Sequence, residues 1–203
     1  MILDKKTNYI VSGLERSGTS MLMQILEAGG IPVAFDNTRP PDEHNPRGYY
    51  ELEGGKIINK IIDGTFPFEK YKGRFIKITS YGLKFLPPGK YKIIYSERDI
   101  EEILDSMEKM IGKKDPDRDE TRKTIVKLNN IIKKQIQMRK DVDVLFVNYN
   151  NILMDPKENI LKILNFLNLS STSLQKMIDA IDVTLYQPHR AAELKKNLCR
   201  LRM

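Results

Sequence analysis

Five short runs of the chain, residues 8–11, 31–34, 74–78, 91–95 and 142–147, are apolar almost without interruption. Continuous rather than alternating apolar character is the pattern of strands covered on both faces. Between the runs the period changes to that of a helix. Residues 17–28 carry Met21, Leu22, Ile25 and Leu26 on one face and stop at Gly29-Gly30. Asp99 followed by Glu102 reads as a capping box opening a helix over residues 100–111. Residues 117–139 place Ile125, Leu128, Ile132 and Ile136 in one stripe. Asp155-Pro156 with Glu158 starts another helix, turning Ile160, Leu161, Leu164 and Leu167 inward. Two less regular helical patterns follow, over residues 171–181 and 191–201.

Strands alternating with helices predict an α/β protein, a three-layer α/β/α sandwich on a central, mainly parallel sheet. The whole chain, 203 residues, suits one domain. In such sheets ligands bind beyond the C-terminal ends of the strands.

Composition narrows the function classes. Hydrophobic residues make up 40% and charged residues 30%, ordinary for a globular protein. No apolar run is long enough to span a membrane, and the start, MILDKKTNYI, is too charged for a signal peptide. The single cysteine, Cys199, leaves no intramolecular disulfide or cysteine cage. These features predict a cytoplasmic protein. The net charge of +7 favours an anionic partner. Because the basic residues are interleaved with acids along helices, a small phosphorylated ligand fits better than nucleic acid.

The first strand runs directly into GLERSGTS, Gly13 to Ser20. It has the frame of a P-loop, G-x-x-x-x-G-K-[ST], but Thr19 stands where the lysine belongs and the basic residue is Arg16. Gly13 and Gly18 let a chain wrap around an anion before entering a helix. The backbone N–H groups of Ser17, Gly18 and Thr19 are expected to face that anion at the positive helix end. Arg16 adds a cation, and Thr19 and Ser20 add hydroxyls. A triphosphate enzyme also needs the loop lysine and a strand-end aspartate for magnesium. The strand at 91–95 instead continues as Ser96-Glu97-Arg98, so a nucleotide kinase or NTPase is the weaker reading and no metal site is expected.

The segment GLERSGTSMLMQIL resembles the 5′-phosphosulfate loop of the sulfotransferase superfamily that uses 3′-phosphoadenosine 5′-phosphosulfate (PAPS). Two further segments share the resemblance. In KIIYSERDIEEILDSMEKM, Arg98 and Ser106 have the strand-end Arg and following Ser that bind the 3′-phosphate in that family; the alternative is that Arg98 only pairs with Asp99 or Glu102 and Ser106 is an ordinary helix serine. In LFVNYNNILMDPKENILKILNFLNL, Tyr149 matches a tyrosine near the adenine, although Asn150-Asn151 replace the family's Glu-Asp. The resemblance implies a P-loop-like fold, PAPS as donor, and a small-molecule or peptide acceptor bearing a hydroxyl or amine. The chain is expected to act as a monomer or homodimer, with no nucleic acid and no membrane as partner. A late basic segment, His189-Arg190 or Lys195-Lys196, is the counterpart of one that closes over the 3′-phosphate.

Transfer of the sulfuryl group requires charge stabilisation on the leaving phosphate and removal of the acceptor proton. Arg16 and the loop amides suit the first task. Lys77, in RFIKITSYG, matches the family's strand-end lysine; the alternative is a strand lysine facing solvent. The matching histidine is missing, so the base is sought in the long loop DNTRPPDEHNPRGYYELEGG, where Glu51 and His44 are the candidates. Tyr49 and Tyr50 offer an acceptor wall. A module that binds the phosphonucleotide without catalysis is the remaining alternative.

Overall fold

The structure, a computed structural model, describes residues 2–182 and 184. The expected helix over 191–201, the basic pairs His189-Arg190 and Lys195-Lys196, and Cys199 lie outside the described residues. Four parallel strands form the sheet: β1 (Asn8–Gly13), β2 (Phe75–Lys77), β3 (Tyr91–Glu97) and β4 (Val142–Asn148), in the order β2-β1-β3-β4. Parallel neighbours need crossovers, supplied here mostly by helices. These are α1 (Thr19–Ala28), α2 (Ile57–Ile62), α3 (Ile100–Ile111), α4 (Arg118–Met138), α5 (Tyr149–Met154), α6 (Pro156–Leu167) and α7 (Leu174–Asp179).

Side chains alternate across the sheet and build two cores. On one face Tyr9, Val11 and Ile94 pack with Leu22, Ile25 and Leu26 of α1, Ile160 and Ile163 of α6, and Met177 of α7. On the other, Ile10, Ile93 and Tyr95 meet Ile57 and Ile61 of α2 and Ile132 and Ile136 of α4. Burial of one apolar stripe per helix on each side of the sheet is the α/β/α sandwich expected from the pattern.

The differences from expectation have local causes. The run at 31–34 is not a strand but a single parallel bridge, Val33 to Phe75. Pro32 has no N–H to donate, so pairing is limited to Phe75 N–H on the Pro32 carbonyl and Ala34 N–H on the Phe75 carbonyl, both 2.8 Å. Helix α1 begins at Thr19 rather than residue 17, because Gly18 at φ +97° is its N-cap. Asp99 does cap α3, accepting from Glu101 N at 2.9 Å and Glu102 N at 3.4 Å. The expected helix at 171–181 is a 3₁₀ turn, Ser171–Ser173, followed by α7. Helix α2 and the short α5 starting at Tyr149 have too few residues for a period to show. No helix among the described residues is long and apolar enough to cross a membrane.

Register fixes what stands at the C-terminal edge of the sheet. Val11 pairs with Lys77, Gly13 with Ser96, and Glu97 with Asn148. Lys77, the glycine-containing loop, Arg98 and Tyr149 therefore emerge side by side.

Candidate active site

The loop between β1 and α1 is tied in place by its neighbours. A Cβ on Gly13, at φ +152°, would lie 2.5 Å from Ser17 Oγ and 2.6 Å from the Ser96 carbonyl oxygen. Only glycine fits where the strand tip and loop cross so closely. Ser96 Oγ donates to the Ser17 carbonyl at 2.6 Å, and Ser17 N–H donates to the Leu14 carbonyl at 3.2 Å. Ser17 thus closes the loop with its amide, contrary to the expectation that this amide faces a ligand. Its hydroxyl is buried without a hydrogen-bond partner among the described residues. The first-turn amides of α1, from Thr19 onward, have no carbonyl ahead of them within the helix and make its positive end.

Arg16 adopts the left-handed region, φ +66°, a conformation that costs a non-glycine residue about 1–2 kcal/mol. Contacts on both its backbone and side chain offset this. Its carbonyl accepts from Arg98 Nη1 at 3.0 Å; its Nε donates to Ser106 Oγ at 2.9 Å and its Nη2 to the His44 carbonyl at 3.3 Å. Residues 90 positions apart in the chain thereby share one hydrogen bond.

Arg98 leaves the end of β3 and lies with its guanidinium carbon 4.6 Å from the centre of the Tyr149 ring. Its Nε donates to Glu102 Oε2 at 2.9 Å. Burial pushes the Tyr149 phenol up, against the opposing pull of the Arg98 guanidinium. The Tyr149 ring in turn packs on Gly18. Arg16, Gly18, Arg98, Ser106 and Tyr149 thus form one connected group.

A second group adjoins the loop through Ser20. Lys77 does not face solvent: its side chain is 8% exposed, with Nζ 3.0 Å from Glu51 Oε1 and 3.3 Å from Ser20 Oγ. It also donates to the Tyr49 carbonyl. Burial lowers the Lys77 pKa, and Glu51 partly restores it. The other Glu51 oxygen accepts from Arg39 Nη1 at 3.2 Å, and Arg39 lies 3.4 Å over the Tyr49 ring. Ser20 Oγ donates to the Tyr49 carbonyl at 3.2 Å and accepts from Asn45 Nδ2 at 3.0 Å. Tyr49 has a buried side chain whose hydroxyl donates to Asp42 at 2.7 Å, while Tyr50 donates to Glu27 at 2.5 Å.

The structure therefore brings together Arg16, Arg98, Ser106 and Tyr149, and beside them around the same loop Ser20, Lys77 and Glu51. His44 joins through its backbone carbonyl; its imidazole Nε2 lies 3.7 Å from Glu43. Thr19 sits in the first turn of α1. Asn45, Arg39, Glu102 and Asn150 contact this site without having been read as site residues. The first two belong to the long loop flagged as a whole; Glu102 was read only as the capping-box partner of Asp99 or an ion-pair partner of Arg98, and Asn150 only as a departure from the family's Glu-Asp. Chemically, Arg16, Lys77 and Arg98 around a helix N-terminus suit a ligand with more than one anionic group. Among the described residues no group of three or more His, Cys, Asp or Glu side chains is placed to hold a metal ion.

The family model of the sulfotransferase domain matches residues 6–198. No curated protein sequence matches the chain. Among solved structures, retinol dehydratase in complex with androsterone and the inactive cofactor PAP is similar, with 18% identity and a TM-score of 0.55 over 97% of this chain and 70% of that one. Mouse sulfotransferase SULT7A1 complexed with PAP has 16% identity and a TM-score of 0.56, over 90% of this chain and 66% of that one. Sulfotransferase STF1 from Mycobacterium tuberculosis H37Rv has 14% identity and a TM-score of 0.56, over 98% and 78%. Identities this low show a shared fold.

Proposed function

Because the chain belongs to the sulfotransferase domain family, we propose that it moves a sulfuryl group from PAPS to a hydroxyl or amine of a small-molecule or peptide acceptor. The observation that carries this reading is the meeting of three segments far apart in sequence. Arg16 is bonded to Ser106, Arg98 to the Arg16 carbonyl, and Tyr149 is stacked under Arg98 and against Gly18. PAP in two of the similar structures supports the same donor class.

The residues present fit the group. Gly13 and Gly18 bring no side chain into the loop, Ser17 keeps a buried hydroxyl with no hydrogen-bond partner among the described residues, and Arg16, Lys77 and Arg98 supply three cations in or beside it. In this reading Arg16, Gly18, Thr19 and Ser20 hold the 5′-phosphosulfate, with Ser17 bracing the loop. Arg98 and Ser106 hold the 3′-phosphate, and Tyr149 lies against the adenine. PAPS would supply an activated sulfate, a mixed anhydride with the 5′-phosphate, whose leaving group is adenosine 3′,5′-bisphosphate. Arg16 and Lys77 stabilise negative charge at the loop. Glu51, beside Lys77, is the stronger candidate to take the acceptor proton, because the His44 side chain points to Glu43 while its carbonyl faces the loop. The chain acts as one domain, as a monomer or homodimer.

Titration with adenosine 3′,5′-bisphosphate tests the reading. Binding in the low micromolar range, weakened at least tenfold in Arg98→Ala, is the expected outcome. No binding at tens of micromolar, or binding indifferent to Arg98→Ala, removes it.

A further inference from the structure

Arg98 is held from two edges and one face. Arg16 supplies a carbonyl to Nη1 at 3.0 Å, Tyr149 supplies the ring beneath the guanidinium at 4.6 Å, and Glu102 supplies a carboxylate to Nε at 2.9 Å. The Arg98 and Glu102 side chains are 10% and 14% exposed. Glu102 is itself anchored: Asn150 Nδ2 donates to its other oxygen, Oε1, at 3.1 Å. Three elements are thus linked, the tip of β3, the first turn of α3 and the first turn of α5.

A carboxylate next to a phosphate-binding arginine works against anion binding by its charge. Its presence here calls for a compensating role. An arginine side chain has about 2 kcal/mol of rotamer entropy to lose, and a partner that orders it beforehand removes that cost from binding. We propose that Glu102 is a positioning residue of the phosphate site, fixing the Arg98 guanidinium, and that Asn150 fixes Glu102. This rests on the proposed function, in which Arg98 meets the 3′-phosphate. It also accounts for the amide at 150, where the sequence resemblance leads one to expect a glutamate. A carboxylate at that place would face the Glu102 carboxylate, whereas the amide donates to it.

Charge and positioning predict opposite signs. If Glu102 acts only by repulsion, Glu102→Gln strengthens binding of the bisphosphate. If it positions Arg98, the same change weakens recognition of the 3′-phosphate. The experiment is calorimetric titration of wild type, Glu102→Gln and Asn150→Ala with adenosine 3′,5′-bisphosphate and with adenosine 5′-phosphate, alongside thermal unfolding of each. The expected result is a preference for the bisphosphate in wild type that falls about tenfold in Glu102→Gln, with affinity for the monophosphate retained. Asn150→Ala, which leaves the charge of Glu102 in place, lowers the preference about threefold. A preference that is unchanged or increased in Glu102→Gln overturns the proposal. Should that variant fail to unfold cooperatively, an unchanged preference in Asn150→Ala overturns it. A wild type without preference for the bisphosphate overturns the proposed function, and the positioning role falls with it.

Discussion

The Tyr149 ring packs so closely on Gly18 that a Cβ there would lie 2.2 Å from Tyr149 Cδ2. Gly18 is also at φ +97°, outside the range of other residues. The loop and the tyrosine are therefore one steric unit, joining the start of α1 to the start of α5.

Gly18→Ala meets both obstacles, and it is expected to lower stability by about 2–4 kcal/mol together with bisphosphate affinity. In Gly18→Ala/Tyr149→Ala the collision disappears while the backbone strain remains. Thermal unfolding of the double variant should then show less than the sum of the two single losses. Strict additivity would mean that the two residues are not in contact.

Loop donors and the long loop share a second relationship. Arg16 donates to the His44 carbonyl, and Ser20 and Lys77 donate to the Tyr49 carbonyl. Two backbone oxygens thus hold the groups assigned to the phosphosulfate. Binding of adenosine 3′,5′-bisphosphate is expected to exchange these carbonyls for phosphate oxygens. Hydrogen exchange followed by mass spectrometry should show faster exchange over residues 42–50 and slower exchange over 16–22 on binding. Identical exchange in both segments with saturating ligand would exclude the competition.

Burial sets a pH signature at Lys77, whose pKa is lowered from its ordinary value of 10.5 despite the nearby Glu51. An ammonium with a folded pKa below its unfolded one binds fewer protons in the folded state across that interval. Stability therefore rises with pH from the lowered value towards 10.5. The Tyr95 phenol, pushed up by burial from 10.0, acts the other way above that pH, so the comparison must be a difference between proteins. Urea unfolding from neutral pH upward should show a rise in wild type relative to Lys77→Met. Parallel curves for the two proteins would contradict the burial of a charged lysine.

Residues near one another in sequence made much of the fold legible. The continuous apolar runs marked all four strands, and Asp99, Asp155-Pro156 and Gly29-Gly30 marked helix ends through contacts made within a few residues. The run at 31–34 failed because it was read by its apolar pattern alone, although its Pro32 has no N–H to pair. Arg16, Arg98, Ser106 and Tyr149 were legible as candidates because each stands in a motif at a strand end or on the following helix. Glu102 and Asn150 were not, since a glutamate in the first turn of a helix already has a local explanation in the capping box.

By itself the sequence determined the four strands and the longer helices, and the glycine-framed loop with Arg16 as its basic residue and Thr19 in place of the lysine. Those features depend on local periodicity, turn chemistry and residue type. Only the tertiary structure decided that Lys77 is buried against Glu51, that Arg16 bonds to Ser106, and that Glu102 and Asn150 stand behind Arg98. These pairings arise from the parallel register, which sets Val11 beside Lys77 and Gly13 beside Ser96. Register is fixed by burying both faces of the sheet at once, a condition on the whole chain that no single stretch of it expresses.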